Sequence, residues 1–497
     1  MPEGNERFDV VVVGCGNAAL CAALAAKENG ASVLVLEKAP QEWRGGNSYF
    51  TGGLFRFAFD NVDEVFDLVG DMSDTEKSGV EIKPYTSGGF FGDLYRLTDN
   101  MSDPDLANTL IFNSLPTMKW LRTKNVRFVL ASGRQAFKVG GKLRFWGGLV
   151  LEAVGGGVGL VDFLIERAEK DEIEIRYASK ATRLIADRMG AITGIEVRGE
   201  NGPYEIEADA IVLGAGGFQA NTEMRCRYLG PDWELAKVRG TPYNTGEGIQ
   251  MALEVGAQSF GHWSSSHTVQ WDLGAPPFGD RKVGESFQKH SYPFGLIVNI
   301  HGQRFVDEGA DFRNYTYAEY GRRVLRQPSR IAWQIFDQKC LPLMRDEYRI
   351  REVTKCASDT LKGLAEQMEI DVEGFVKTIE EYNAAVQDTE FNPTILDGKK
   401  TVGIDPPKSN WAQKMDAPPY EAYGVTAGIT FTFGGLRTTK DSQVLDAENK
   451  NVPGLFACGE LVGGLFYYNY PGGSGLMSGA VFGKLAGEGA ARHAGKA

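Results

Sequence analysis

The stretch VVVVGCGNAALCAALAAKENGASVLVLEK, residues 10–38, decides the fold. The β-branched run 10–13 predicts a strand, the small residues up to Gly30 predict a helix, and the apolar run 33–36 predicts a second strand closed by Glu37. A G-x-G-x-x-A turn joins the first strand to the helix. This order of strand, glycine turn, helix, strand and acid is typical of a dinucleotide-binding unit, so we predict a nucleotide site at the turn.

The positions of this unit have separate physical roles. Gly14 allows the tight turn, Gly16 lets the backbone approach a pyrophosphate, and Ala19 permits close packing of the helix on the strand. The helix N-terminus offers free N–H groups and a positive dipole end to the phosphates. Glu37 can accept a hydrogen bond from a ribose hydroxyl and would repel a 2′-phosphate.

The composition is that of a soluble globular protein with room for two or three domains. The chain has 497 residues, of which 42% are hydrophobic and 24% charged. Its net charge of −12 argues against nucleic-acid binding, and the N-terminal valine run is too short for a secretory signal or a membrane span. Six scattered cysteines without a CxxC pair exclude common iron–sulfur and c-type haem sites and favour a cytoplasmic location. We expect no metal site.

The distribution of residue types predicts one domain inserted into another. Glycine-rich, β-branched segments occupy both ends of the chain, whereas histidines and many aromatic residues appear from about residue 262. We therefore predict an α/β protein with a Rossmann-like nucleotide-binding domain of residues 1–262 and 426–497 and an inserted α+β substrate-capping domain of residues 263–425. Helices are expected over residues 105–124, 477–492 and, interrupted at Pro342, 330–390.

Several further motifs follow in a fixed order along nearly the whole chain. They are RGGNS (44–48), TGG (51–53), DAIVLGAGGF (209–218), GEGIQMALEVGA (246–257), GQRFVDE (302–308), VPGLFACGE (452–460) and YPGGSGLMSGAVFGKLAG (470–487). With the opening motif, they resemble the FAD-dependent fumarate reductase and succinate dehydrogenase flavoproteins, which have 3-ketosteroid dehydrogenases as relatives. Within that family, the tricarballylate dehydrogenase branch is most similar, in KHSYPF (289–294), RFVDEGADFRNYTYAEYG (304–321) and NYPGGSGLMSGAVFG (469–483).

The resemblance implies that the nucleotide is FAD. Some relatives attach the flavin covalently through a histidine near the second glycine motif, but no histidine precedes His262, so we expect non-covalent binding. A helix N-terminus near the flavin C2=O group would stabilise the anionic reduced ring. The residues implied to bind FAD are Gly14, Gly16, Asn17, Ala18, Ala19, Glu37, Lys38, Arg44, Gly45, Gly46, Asn47, Ser48, Thr51, Gly52, Gly53, Ala181, Ala215, Gly216, Gly217, Gly459, Glu460, Ser474, Gly475 and Leu476.

The resemblance also implies candidates for the chemistry. His267 lies where fumarate reductases place a histidine that binds the substrate carboxylate. Arg313 matches their catalytic arginine only after a one-residue shift, because strict register puts Phe312 there. Arginine is a poor base, so its role could instead be to bind a carboxylate. The identity of the acid or base therefore stays open.

Tyr470 is a third candidate, His290 and Tyr468 are weaker ones, and two expected residues are missing. Tyr470 resembles the tyrosine of ketosteroid dehydrogenases that donates a hydrogen bond to the substrate carbonyl. His290 and Tyr468 are further candidates. Gly475 stands where fumarate reductases carry a second arginine, and Phe431 stands where they carry a second histidine. Both differences predict a substrate pocket that is bulkier or less charged at one end.

These features predict an FAD-dependent dehydrogenase acting on CH–CH groups. The reaction would be α,β-dehydrogenation of a small polycarboxylate such as tricarballylate, or the reverse alkene reduction. The alternatives are the same chemistry on a neutral ketone or enone and, more remotely, a flavin-fold protein that binds a partner without catalysis. Because the sequence shows no second dinucleotide motif, we expect a separate electron acceptor, which could be oxygen, a quinone or a redox protein.

Overall fold

A computed structural model describes residues 6–496 of the chain. The strands within that range are β1 (Glu6–Val13), β2 (Val33–Leu36), β3 (Leu54–Phe55), β4 (Val80–Glu81), β5 (Phe128–Leu130), β6 (Ala136–Val139), β7 (Lys142–Phe145), β8 (Leu151–Ala153), β9 (Glu174–Arg176), β10 (Lys180–Ala186), β11 (Ile192–Gly199), β12 (Gly202–Leu213), β13 (Lys237–Val238), β14 (Ser259–Asp272), β15 (Leu296–Asn299), β16 (Ala332–Phe336), β17 (Lys355–Ser358), β18 (Tyr420–Leu436), β19 (Gln443–Leu445) and β20 (Asn451–Ala457). The α-helices are α1 (Asn17–Glu28), α2 (Val62–Val69), α3 (Asp74–Ser78), α4 (Ser87–Leu97), α5 (Pro104–Thr123), α6 (Ser132–Gln135), α7 (Gly156–Lys170), α8 (Thr222–Leu229), α9 (Glu247–Glu254), α10 (Arg313–Leu325), α11 (Leu361–Met368), α12 (Val372–Ala385) and α13 (Ser474–His493).

The first large sheet confirms the Rossmann-like prediction. Its strand order is β10-β11-β12-β1-β2-β9, and β20 joins the carboxyl-terminal half of β12 with β19 beside it. Strands β12, β1, β2 and β9 are parallel neighbours, so their carboxyl ends meet at one edge. Helices α1 and α13 pack closely on this sheet. A Cβ atom on Gly487 of α13 would lie 2.1 Å from the Ala22 carbonyl oxygen of α1, so only glycine fits there.

A second large sheet carries the residues that will face the first. Its order is β13-β18-β16-β15, with β14 and β17 also pairing with β18. Strands β14 and β18 form one long antiparallel ladder, from Ser259 paired with Leu436 to Asp272 paired with Val425. The predicted domain boundaries at 262/263 and 425/426 fall inside these two strands. The division into two domains therefore stays a prediction.

Several element predictions are confirmed, and one is wrong in part. The helix expected over residues 105–124 is α5, and the closing helix is α13, which begins three residues earlier than expected. The segment 330–390 is helical only in its second half, because residues 332–336 form the central strand β16. All five of its residues are buried, so the run lacks the polar alternation that would distinguish it from a buried helix. Within residues 6–496, none of the helices has the length and apolar character required to cross a membrane.

Candidate functional site

A deep cavity lies where the carboxyl edge of the first sheet meets the second sheet and the start of α13. Its two ends differ in construction. We call one the glycine end, because Gly14, Gly16, Gly214, Gly216 and Gly459 line it. We call the other the arginine end, because its lining includes Arg134, Arg239, Arg313, His267 and His290.

The glycine end is formed by backbone at the tips of β1 and β12. Gly14 has φ +108°, and a Cβ atom there would lie 2.6 Å from the carbonyl oxygen of Gly214. Helix α1 then begins at Asn17, and its N-cap residue Gly16 has no side chain to cap the first turn. Asn17 donates from its backbone N–H to Ser48 Oγ at 3.0 Å and from its side chain to the Leu476 carbonyl oxygen at 2.9 Å. Thus β1, the second glycine motif and α13 converge at one point.

The acidic residue that follows β2 lines the glycine end. Glu37 is buried and accepts a hydrogen bond from the Ala39 backbone N–H at 2.8 Å. Burial raises the pKa of its carboxyl group. Beside it, Lys38 and Lys180 both pair with Glu247, at 2.8 and 2.9 Å, and close the rim.

The middle of the cavity contains a second buried carboxyl group and a second helix start. Glu460 accepts hydrogen bonds from the Thr432 backbone N–H at 2.8 Å and from Gln219 at 3.2 Å, and burial raises its pKa to about 7. Helix α13 begins at Ser474 without a capping side chain, and the Ser474 hydroxyl has no hydrogen-bond partner among residues 6–496. A long helix therefore presents its N-terminus to the cavity.

Most residues implied to bind FAD line this cavity, and six lie behind its wall. Each of the six either packs closely against a neighbouring element or forms a salt bridge outside the cavity. Gly214, for example, leaves no room above Ala19, and Arg44 pairs with Asp162 at 3.4 Å. The six are Ala19, Arg44, Gly45, Gly53, Gly217 and Ser474.

Arg313, the first residue of α10, lies at the centre of the arginine end. It donates to His290 Nδ1 at 3.2 Å and to the Arg134 carbonyl oxygen at 2.8 Å. None of the carboxylates in the described part of the chain forms an ion pair with it, and burial lowers its pKa. Because arginine only donates, His290 Nδ1 must accept, so neutral His290 carries its proton on Nε2.

Both histidines of the arginine end are buried and neutral. Burial lowers the pKa of His267 well below its ordinary value, and the charge of Arg239 lowers it further. Burial and the charge of Arg313 act in the same direction on His290. Neither ring nitrogen of His267 has a partner among the described residues, and the same holds for His290 Nε2. These three nitrogen atoms are available to a bound molecule.

Aromatic residues form the wall beside His267. The ring centroids of Tyr317, Tyr470 and Phe431 lie 5.0, 4.8 and 5.1 Å from that of His267. The hydroxyl groups of Tyr317 and Tyr470 are hydrogen-bonded to each other. Burial raises the pKa of Tyr470 well above its ordinary value and raises that of Tyr317 as well, so both are neutral phenols, and one proton of the hydrogen-bonded pair stays free to donate.

The structure separates the candidates for chemistry. Arg313 lines the cavity, whereas Phe312 does not: it stacks on Trp146 at 5.0 Å and packs against Trp411. Tyr468 also lies away from the cavity lining, with 43% of its surface exposed, and we no longer consider it for a catalytic role.

Sequence reasoning missed several residues that the structure brings to the arginine end. The spacing could have indicated Tyr317, which lies one helical turn after Arg313. Arg134 and Arg239 had no such signal, because each is brought to the cavity by tertiary structure. The missed residues are Arg134, Arg239, Glu285, Gln288, Asn314 and Tyr317.

Comparisons with known proteins agree with this geometry. Residues 9–476 match the family model described as an FAD binding domain. A probable fumarate reductase of Shewanella frigidimarina is 29% identical over 498 residues, which cover 99% of this chain and 76% of the relative. The open conformation of a flavocytochrome c3 fumarate reductase gives a TM-score of 0.72 at 27% identity, over 99% of this chain and 79% of that one. The 3-ketosteroid delta1-dehydrogenase of Sterolibacterium denitrificans shares the fold, with a TM-score of 0.74 at 23% identity over 98% of this chain and 100% of that one.

Proposed function

This chain belongs to the family of FAD binding domains, and from that premise we propose that it is a dehydrogenase or reductase acting on a CH–CH bond of a small polycarboxylate such as tricarballylate. Arg313 is the observation that carries the proposal. A buried cation without a carboxylate partner is costly unless a ligand supplies the negative charge. Arg313 lies at one end of a cavity whose other end has the features of a nucleotide site.

The residues of the glycine end fit FAD. Gly14 keeps the turn between β1 and α1 tight, since a Cβ atom there would lie 2.6 Å from the Gly214 carbonyl oxygen, and the hydroxyl group of the lining residue Thr430 has no protein partner among the described residues and would bind a polar group of the cofactor. Glu37 would accept from the adenosine ribose, and Glu460 would face the ribityl chain. The bound flavin would supply a hydride acceptor or donor. We propose that it is held without a covalent bond.

The residues of the arginine end divide the remaining tasks. Arg313 would bind one substrate carboxylate and stabilise the charge that develops when the neighbouring carbon loses its proton. His267 has two free nitrogens and is neutral, so it can accept a hydrogen bond or that proton. When its hydroxyl accepts the hydrogen bond from Tyr317, Tyr470 can donate to a carboxylate or carbonyl oxygen. The aromatic wall excludes water from this end.

The relatives support this assignment at the level of the reaction. The similar proteins named as fumarate reductases act, by their names, on a small unsaturated dicarboxylate. The neutral-ketone alternative is favoured by one specific observation, the buried pair Tyr317 and Tyr470, which could bind a carbonyl oxygen. The unpaired charge of Arg313 favours a carboxylate. The electron acceptor would be a separate molecule.

The test is anaerobic incubation of the purified yellow holoprotein with single compounds. We expect tricarballylate to bleach the visible flavin absorption, and the reduced protein to be reoxidised by the corresponding aconitate. A panel of ketones and enones serves as the comparison. Bleaching by a ketone but by no di- or tricarboxylate would overturn the proposal in favour of the alternative, and a colourless protein that cannot be reconstituted with FAD would overturn both.

A further inference from the structure

Arg239 is a buried arginine of the cavity that the proposed function has not yet used. It directly follows β13, and its backbone N–H donates to the Ile429 carbonyl oxygen at 2.8 Å, beside the lining residues Thr430 and Phe431. Its side chain is 6% exposed, and its guanidinium group lies 6.0 Å from the centre of the Trp271 ring. The strand pairing and this ring hold the cation at a fixed place in the wall.

The hydrogen-bonding capacity of Arg239 is mostly unused by the protein. One terminal nitrogen pairs with Glu285 at 3.3 Å, and Nε has no partner among the residues described. A guanidinium group has five N–H donors, so four are unused by the protein after that pair, including the one on the buried Nε. Glu285 is bound more closely by Arg134, whose pKa it raises, and Arg134 also pairs with Glu152 at 2.9 Å. Glu285 therefore orients the Arg239 side chain but uses only one of its N–H donors.

The charge of Arg239 reaches the same groups as that of Arg313, from a different element. Burial is the largest cause of the lowered pKa of His290, and both cations lower it further. Both cations also lower the pKa of Tyr317, against the larger effect of burial. The facing turn of α13 offers no cation, since it consists of Ser474, Gly475 and Leu476. Besides Arg134, which pairs with Glu152 and Glu285, the arginine end thus contains two guanidinium groups, one from α10 and one from the segment after β13.

From this arrangement we propose that Arg239 binds a second carboxylate of the substrate, so that Arg239 and Arg313 together select a molecule with carboxylates at separated positions. The inference rests on the proposed function and names its specificity-determining residue. A monocarboxylate would occupy Arg313 alone. Bidentate pairing with a carboxylate needs a planar guanidinium group, so lysine is a poor substitute at this place.

The experiment measures calorimetric Kd values of the holoprotein for tricarballylate and for butyrate. We expect R239Q to weaken tricarballylate binding by about 30-fold and butyrate binding by less than about threefold, because one charge-assisted pair is lost only for the former. R313Q should weaken both. The matched control is R225Q, which removes a buried arginine that does not line the cavity and should leave both Kd values unchanged.

A second variant guards against a general loss of folding. R239K retains the charge, and we expect it to weaken tricarballylate binding by about fivefold with butyrate unchanged. Equal weakening of both ligands in R239K would show a merely structural role and overturn the assignment. If the wild type binds tricarballylate and R239Q binds it equally well, only the role of Arg239 fails. If the wild type binds no di- or tricarboxylate, the proposed function itself fails, and the role of Arg239 with it.

Discussion

The glycine end and the arginine end of one cavity are built in opposite ways. At the glycine end, the turn between β1 and α1 brings Gly14 and Gly16 together within three residues of sequence, and backbone atoms form the surface. At the arginine end, side chains from residues 134, 239, 267, 290 and 313 converge, each from a different element. The first surface consists of short glycine turns that the local sequence encodes and that the parallel strands β1, β12 and β20 bring together, whereas the second follows only from tertiary structure.

This difference teaches where function can change most easily. The glycine end would bind a constant group through N–H donors and close approach, and a side chain is excluded at Gly14 because a Cβ atom there would lie 2.6 Å from the Gly214 carbonyl oxygen. The arginine end has long side chains on a fixed frame, and each can be replaced without altering the turn at Gly14. Substrate choice can therefore vary while the nucleotide site persists.

The largest effect is expected from adding a side chain at Gly14 in the glycine end. G14V places a side chain where a Cβ atom already lies 2.6 Å from the Gly214 carbonyl oxygen, at φ +108°. We expect FAD content, measured by absorbance after purification, to fall to less than about a tenth of wild type. The matched control is G190V. Gly190 also has a positive φ, but nothing lies within 4 Å of its Cβ position, so FAD content should be retained.

The second-largest effect should show that the two ends of the cavity can be altered independently. R313M removes the central cation of the arginine end, and we expect kcat/KM for tricarballylate to fall by about 10³-fold or more while FAD content stays at the wild-type level. F312L is the neighbouring control, because Phe312 packs between Trp146 and Trp411 outside the cavity. A larger loss of kcat/KM in F312L than in R313M would restore the strict register and contradict the structure.

The same contrast explains how much the sequence predicts. The opening unit and the closing helix were predictable, since each depends on neighbouring residues whose types encode the local backbone, and the family resemblance indicated most residues that line the glycine end. Arg134 and Arg239 were not, because nothing near them in sequence indicates that β13 and α6 bring them to one cavity. The sequence likewise could not decide whether Phe312 or Arg313 lines the cavity, because that depends on where α10 begins. The strand β16 was missed because a fully buried run shows no periodicity.

A smaller effect should come from the aromatic wall. Y470F removes a hydroxyl group that is hydrogen-bonded to Tyr317, and we expect kcat/KM to fall by about tenfold. Y317F should cost a similar factor, and the double variant should cost less than the product of the two, because the hydroxyls act as one pair. Multiplicative losses would show that the two phenols act separately. Y468F, on an exposed residue outside the cavity, is the control.

The smallest effect concerns stability and again sets the two ends apart. His267 and His290 have pKa values well below the ordinary value in the folded protein, because burial disfavours their charged forms. The unfolded chain takes up protons at these residues as the pH falls below about 6.5, whereas the folded chain does not. The free energy of unfolding should therefore be highest above that pH. It should fall between pH 7 and 5.5, by at most about 1.4 kcal/mol per pH unit for each histidine.

Urea unfolding of the wild type, H267Q and H290Q over this pH window measures the contribution of each ring. Each variant should lose its share of the slope, because glutamine does not titrate. F431L, which changes a residue beside His267 that does not titrate, should keep the wild-type slope. An unchanged slope in both H267Q and H290Q would mean that both histidines take up protons as easily in the folded chain as in the unfolded chain. Their neutral state could then no longer explain why the charge of Arg313 stays free for a substrate anion.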